Sequence, residues 1–329
     1  MQSRRDILRY GLALGAASAV PMSGLFAGRA EAAPPTDLKL FVPAAPGGGW
    51  DQTARSMEQV LRANGAVTSV QVTNVPGAGG TVGLPQFVNQ WKGQGNALMI
   101  GGMVMVGAII ANKAPVKLTA TTPIARLTGE ALALVVPAES PFKTAADFVK
   151  ALKADPSKVP IAGGSAGGSD HILAGLIAKA GGGDATKVSY VAFAGGGPAT
   201  AAILGNQVAA GISGYGEFAE QIKAGKMRCL AISADQRDPA IDAPTLREAG
   251  IPVDLFNWRG VFAPPGLSKE QVADITKLVA DMVKSPAWAE MCKTKGWASI
   301  PIVGDSYGEF VAAETTRIEA ILKDLGLAG

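Results

Sequence analysis

The sequence predicts an α/β fold of two domains, each a mainly parallel sheet flanked by helices, and three observations predict it. Strand-like and helix-like patterns alternate through most of the chain, as strand–helix–strand units require. At 329 residues the chain is too long for one ordinary core. Its 42 glycines gather where apolar strands end and helices begin, so they mark loops rather than repeats. With 48% hydrophobic and 17% charged residues, a sizeable core is expected and disorder is not.

In chain order, Arg4-Arg5 followed by Ile7-Leu8, an apolar run from Tyr10 to Phe26 and Ala30-Glu31-Ala32 read as an export signal over residues 1–32. The arginine pair resembles a twin-arginine signal; an ordinary secretory n-region reads the same way. Removing it leaves 26 basic and 25 acidic groups, a net charge of +1, with no basic run for nucleic acid or anionic membrane. Cys229 and Cys292 could pair in an oxidising compartment or remain two buried thiols.

Phe41 to Arg55, FVPAAPGGGWDQTAR, is a short strand that stops at a proline and three glycines before a helix whose Ala54, Met57 and Leu61 share one face. Val70 to Val75 alternates as a strand, Val82 to Gln90 reads as a helix, and Ala97 to Ile100 as a strand followed by an apolar segment. Pro123 to Val136 is longer than one strand in one domain needs and is expected to cross between domains. Thr144 to Lys153 reads as a helix. Val159 to Ala180 and Val188 to Gly205 repeat the strand, glycine loop, helix grammar. Val208 to Ser213 and Arg228 to Ser233 read as strands around a helix from Glu217 to Lys223. Thr245 to Glu248 is a capping box for a short helix ending at Gly250. Trp258 to Phe262 is a second crossing candidate, and helices from Ser268, Pro286 and Ser306 complete the chain.

The first two glycine loops are expected to face each other across a cleft. Gly47, Gly48 and Gly49 leave the amides of a helix N-terminus open to an anion, with the helix dipole behind them. Ser165, Ser169 and Thr53 can donate to a carboxylate, and so can His171 as a neutral tautomer. Ser169 reads equally as an N-cap and His171 as a surface residue. Asp51 would repel an anion and is expected to cap the helix; Trp50 is a pocket wall or core. Gly163-Gly164-Ser165-Ala166-Gly167 matches the G-x-S-x-G elbow of serine hydrolases, yet the one histidine, His171, precedes the place where that triad needs its base. No P-loop or dinucleotide fingerprint is present, and one His with two distant Cys cannot build a transition-metal site. No cofactor, metal or catalytic residue is implied.

Phe41 to Arg55, Asn74 to Gly80, Gly163 to His171, Ala210 to Arg228 and Pro244 to Gly250 resemble, in that order, the solute-binding proteins of tripartite tricarboxylate transporters, the Bug-type receptors. The resemblance implies a two-lobe periplasmic binding protein of type II. Its lobes would be residues 33–135 with 258–329, and residues 136–257. It implies a small carboxylate gripped by Ala45, Gly47, Gly48, Gly49, Trp50 and Asp51 from one lobe. From the other, Gly164, Ser165, Gly167, Gly168, Ser169 and His171 would grip it, with Gly195, Gly196, Ser213 and Tyr215 lining the same cleft. Gly211 to Tyr215 departs from the acidic strand end of many members, so substrate identity does not carry over. The expected protein is a periplasmic, monomeric, non-catalytic receptor that hands a di- or tricarboxylate to permease subunits. A sensor presenting the same ligand to a signalling partner is the alternative.

Overall fold

The computed structural model describes residues 35–328; the export signal expected over residues 1–32 lies outside them. In chain order the strands are β1 (Asp37–Val42), β2 (Ser69–Asn74), β3 (Ala97–Gly102), β4 (Thr122–Pro137), β5 (Ile161–Gly163), β6 (Tyr190–Ala192), β7 (Ala210–Gly214), β8 (Met227–Ile232), β9 (Phe256–Ala263) and β10 (Ala298–Val303). The helices are α1 (Gly49–Ala63), α2 (Gly83–Gln90), α3 (Met103–Ala111), α4 (Ala145–Ala154), α5 (Ser169–Ala180), α6 (Gly196–Leu204), α7 (Tyr215–Lys223), α8 (Lys269–Lys284), α9 (Pro286–Lys295) and α10 (Asp305–Asp324).

The strands join in the order β2-β1-β3-β9-β4-β7-β5-β6, and β10 and β8 also pair with β4. The 16-residue β4 is the spine. Its first part is flanked by β9 and β10, and its last residues by β7 and β8. One apolar strand therefore belongs to two sets of strands, which accounts for its length. The α/β class is as expected, with a difference in strand direction. Parallel pairing is confined to β1 with β2 and β3, and to β5 with β6 and β7. Each pairing of β4, and that of β3 with β9, is antiparallel. Strand–helix alternation reports the outer units and is blind to the direction in which β9 returns between β3 and β4.

Local chemistry explains the elements. In α1, Ala54, Met57 and Leu61 are buried on one face. Thr144, Ser268 and Ser285 cap α4, α8 and α9, the first two as reciprocal capping boxes. Thr245 and Glu248 exchange the same pair of bonds, yet the segment stays a turn. Gly250, at φ +81°, and Pro252 end it before a helix can extend. The apolar segment after β3 is α3, whose nearly all-apolar MVMVGAIIA sequence carries no helical stripe to read. Both cysteines are free, and burial pushes their thiols up, Cys229 to about 12 and Cys292 to about 11. Among the described residues no helix is long and apolar enough to cross a membrane.

Candidate functional site

Two helix N-termini, those of α1 and α6, open on one cleft, which the loop before α5 and the β7–α7 junction complete. Gly48, Gly49 and Trp50 come from α1, Gly164 and Ser165 from the loop before α5, Gly195, Gly196 and Gly197 from α6, and Ser213 and Glu217 from the β7–α7 junction. The cleft holds about 120 Å³, against the roughly 10–15 Å³ that one water needs, so a small organic molecule fits. The N-caps of α1, α5, α6 and α7 are Gly48, Gly168, Gly195 and Gly214, and none has a side-chain cap. Each of these ends leaves first-turn amides with no side-chain acceptor from its N-cap, and the dipoles add positive potential.

Of the residues expected from sequence, Ala45, Gly48, Gly49, Trp50, Gly164, Ser165, Gly195, Gly196 and Ser213 line the cleft. Gly47, Asp51, Gly167, Gly168, Ser169, His171 and Tyr215 are not among the residues that line it. Thr53 donates to the Gly49 carbonyl one turn back, at 2.9 Å, and Tyr215 packs on the small core of the second strand set.

The first loop is tied by Asp51. Its Oδ2 accepts from the Gly47 amide and from Arg55 Nε, each at 2.9 Å, and its Oδ1 accepts from Asn74 Nδ2 at 3.0 Å. Asn74 Nδ2 also reaches the Ala44 carbonyl at 3.2 Å, so the ends of β1 and β2 and the start of α1 are held at one point. Burial opposes the charge, but the Arg55, Gly47 and Asn74 bonds together hold Asp51 below the usual carboxylate range.

The second loop is tied differently. His171 Nδ1 accepts from the Gly167 amide at 3.1 Å, so the ring proton sits on Nε2. The imidazole stacks on Tyr190 at 4.1 Å, and Tyr190 donates its hydroxyl to the Gly164 carbonyl at 2.8 Å. Desolvation pushes His171 down to about 4, which keeps it neutral. Gly168, in extended conformation, is the N-cap, and Ser169 is the first helical residue. The Ser169 hydroxyl donates to Asp170 Oδ1 at 2.9 Å, and the Gly164 amide to Asp170 Oδ2 at 2.8 Å. Burial outweighs those bonds and pushes Asp170 up to about 6.

Beneath the loops lies a charged floor with little sequence signal. Arg259 of β9 and Glu130 of β4 form a buried ion pair, their side chains 3% and 5% exposed. Burial raises Glu130, and Arg259 is the charge that opposes this. The guanidinium lies under Gly49, where a methyl group would strike it, and over the Trp297 ring at 5.3 Å. Glu217 is pushed up to about 7, by burial first and by Glu130 second, with Arg259 and the Gly49 amide opposing. Glu130 is the sole acidic residue of β4 and Arg259 the sole charge of β9, whereas Glu217 shares its helix with Glu220 and Lys223. A lone Glu in LTGEALALVV and a lone Arg in FNWRGVF were the available signal, since an isolated charge inside a buried strand needs a partner. Among the described residues no group of three or more His, Cys, Asp and Glu could hold a metal ion.

Comparison with known proteins bears on what such a cleft does. The family described as tripartite tricarboxylate transporter family receptor matches residues 53–327. Protein BugT of Bordetella pertussis is 26% identical over 303 residues, covering 90% of this chain and 91% of its own. The structure of MatC from Rhodopseudomonas palustris, solved with bound malate, is 25% identical and superposes with a TM-score of 0.75, covering 88% of this chain and 99% of that one. A second R. palustris protein, solved with adipate, shares the fold at 22% identity and a TM-score of 0.78, covering 89% and 98%.

Proposed function

This chain belongs to the tripartite tricarboxylate transporter receptor family, and on that premise we propose that it captures a small organic carboxylate in the cleft and delivers it to the permease of such a transporter. The observation that carries the reading is the opening of two glycine-capped helix N-termini, those of α1 and α6, onto one cavity beside the loop before α5. Amides and dipoles arranged this way bind an anion without a dedicated lysine or arginine. That the similar MatC was solved with malate supports a carboxylate of this size.

In this reading the protein is exported to the periplasm and acts as a monomer. Residues 33–135 with 258–329, and residues 136–257, are its two lobes, and they close over the solute by bending at the shared β4. No reaction follows. Ser165 lines the cleft, but His171 commits Nδ1 to the Gly167 amide and its ring face to Tyr190, so it is not placed to serve the serine as general base.

A thermal-shift screen of mono-, di- and tricarboxylates tests the proposal, with stabilisation by at least one acid expected. Stabilisation by none, together with turnover of an ester, would instead support a hydrolase. Ser165→Ala should weaken the best ligand by about 1.5–3 kcal/mol, the worth of one hydrogen bond to a charged group. An unchanged Kd removes Ser165 from the contact set.

A further inference from the structure

Two acceptors in the cleft lack a donor. Glu217 Oε2 and Asn257 Oδ1 are sealed from solvent with no hydrogen-bond partner, and both residues line the cavity. Buried polar atoms are as a rule satisfied by protein, water or ligand, and of the buried side-chain atoms without a partner these two belong to residues lining the cleft. Arg259 makes its hydrogen bond to Glu130, and no bond from it to Glu217 Oε2 or Asn257 Oδ1 is present. Among the described residues lining the cleft, Arg259 is the sole cation, set against the carboxyls of Asp170 and Glu217. Glu130 lies directly behind them, within electrostatic reach of both. A solute whose second polar group is another carboxylate would bring negative charge to a place already rich in it. A solute with a cationic donor would supply both missing hydrogen bonds and the missing charge.

The position of Glu217 narrows the chemistry. The Gly49 amide of α1 bonds its carboxyl, and Gly196 of α6 lies so close that a methyl group there would meet Oε2. Glu217 therefore sits between the starts of α1 and α6. The acceptor and the anion cradle are neighbours, as the ammonium and carboxylate of a short amino acid are.

We propose that the solute carries an ammonium group next to its carboxylate, and that Glu217 is the specificity-determining residue that receives it, with Asn257 as second acceptor. The inference rests on the carboxylate reading and sharpens it to amino-substituted acids. The raised position of Glu217 in the free protein agrees with it, since an ammonium would return the carboxyl to its charged form.

The test is calorimetric titration of the exported protein with acids that share a skeleton and differ at one carbon. Succinate, 2-hydroxysuccinate and 2-aminosuccinate form one series, with matching series on three-carbon, five-carbon and aromatic skeletons. The expected result is that, on at least one skeleton, the amino member binds tenfold or more tighter than the unsubstituted and hydroxy members. Glu217→Gln should reduce that preference at least tenfold while the circular dichroism melt stays cooperative. Asn257→Leu, an independent variant, should reduce it in the same direction. Equal or tighter binding of the unsubstituted or hydroxy acid on every skeleton overturns the inference and leaves the carboxylate reading standing. So does a preference that neither variant changes. Binding of no member of any series removes the carboxylate reading and this inference with it.

Discussion

The two glycine loops close the same kind of turn with opposite chemistry. In the first, the amide of Gly47 is taken by a residue four positions on, the carboxylate of Asp51; in the second, the amide of Gly167 is taken by a residue four positions on, the neutral imidazole of His171. Their surroundings explain the difference. Asp51 has Arg55 and Asn74 to stabilise its charge, whereas His171 neighbours Asp170 and its loop borders a floor holding Glu130 and Glu217. A carboxylate in the second loop would join three others. A helix N-terminus can be locked by any acceptor that reaches back one turn, and the local charge decides which acceptor is tolerated.

That comparison can be broken by exchange. His171→Asp keeps an acceptor for Gly167 but loses the Tyr190 stacking and places a carboxylate beside Asp170 without a cation; about 3 kcal/mol of stability should be lost in urea denaturation. A near-neutral result would mean that charge does not set the choice. Asp51→Ala leaves the Gly47 amide without its acceptor and Asn74 with the Ala44 carbonyl alone, and should cost about 2 kcal/mol by the same measurement. A loss of a few tenths would show that the first loop holds itself.

A smaller effect separates the loops by pH. The folded-state pKa of His171 lies at about 4, below its ordinary 6.5, so the stability its neutral ring contributes is complete above 6.5 and is lost as pH falls toward 4. Asp51 is also depressed, from 3.8, so its contribution is present above 3.8 and is lost only below it. Asp170 has the opposite sign: raised from 3.8 to about 6, it carries a burial penalty that is complete above 6 and relieved below 3.8. Amide hydrogen exchange between pH 6.5 and 4 should therefore show Gly167 losing protection while Gly47 keeps it, once intrinsic rates are divided out. Parallel loss at both amides would contradict the comparison.

The parts of this molecule that were readable without coordinates are those where one residue type has one local use. Three glycines between an apolar strand and an amphipathic helix could scarcely be anything but an open N-terminus, and Ser268 with Gln271 announced the start of α8. The long apolar run of β4 was readable as too long for one set of strands. Its direction relative to β9 was not, because pairing partners lie more than a hundred residues apart. The ion pair of Glu130 and Arg259 escaped for the same reason, each charge appearing as a blemish in its own strand. Asp51, awkward as a ligand contact, became intelligible once Asn74, 23 residues away, was seen to bind it. Glu217 appears in the sequence only as the start of a helix, and nothing local marks its burial against Gly196.

The central claim is that backbone amides at glycine-capped helix ends hold the carboxylate of the solute. Calorimetric titration of Gly49→Ala against wild type, with the best acid from the screen, tests it most directly, because the added methyl would run into the Arg259 guanidinium at the mouth of α1. Binding by the wild type is expected, with a loss of tenfold or more in the variant while its melt remains cooperative. Equal affinity in the two proteins would contradict it.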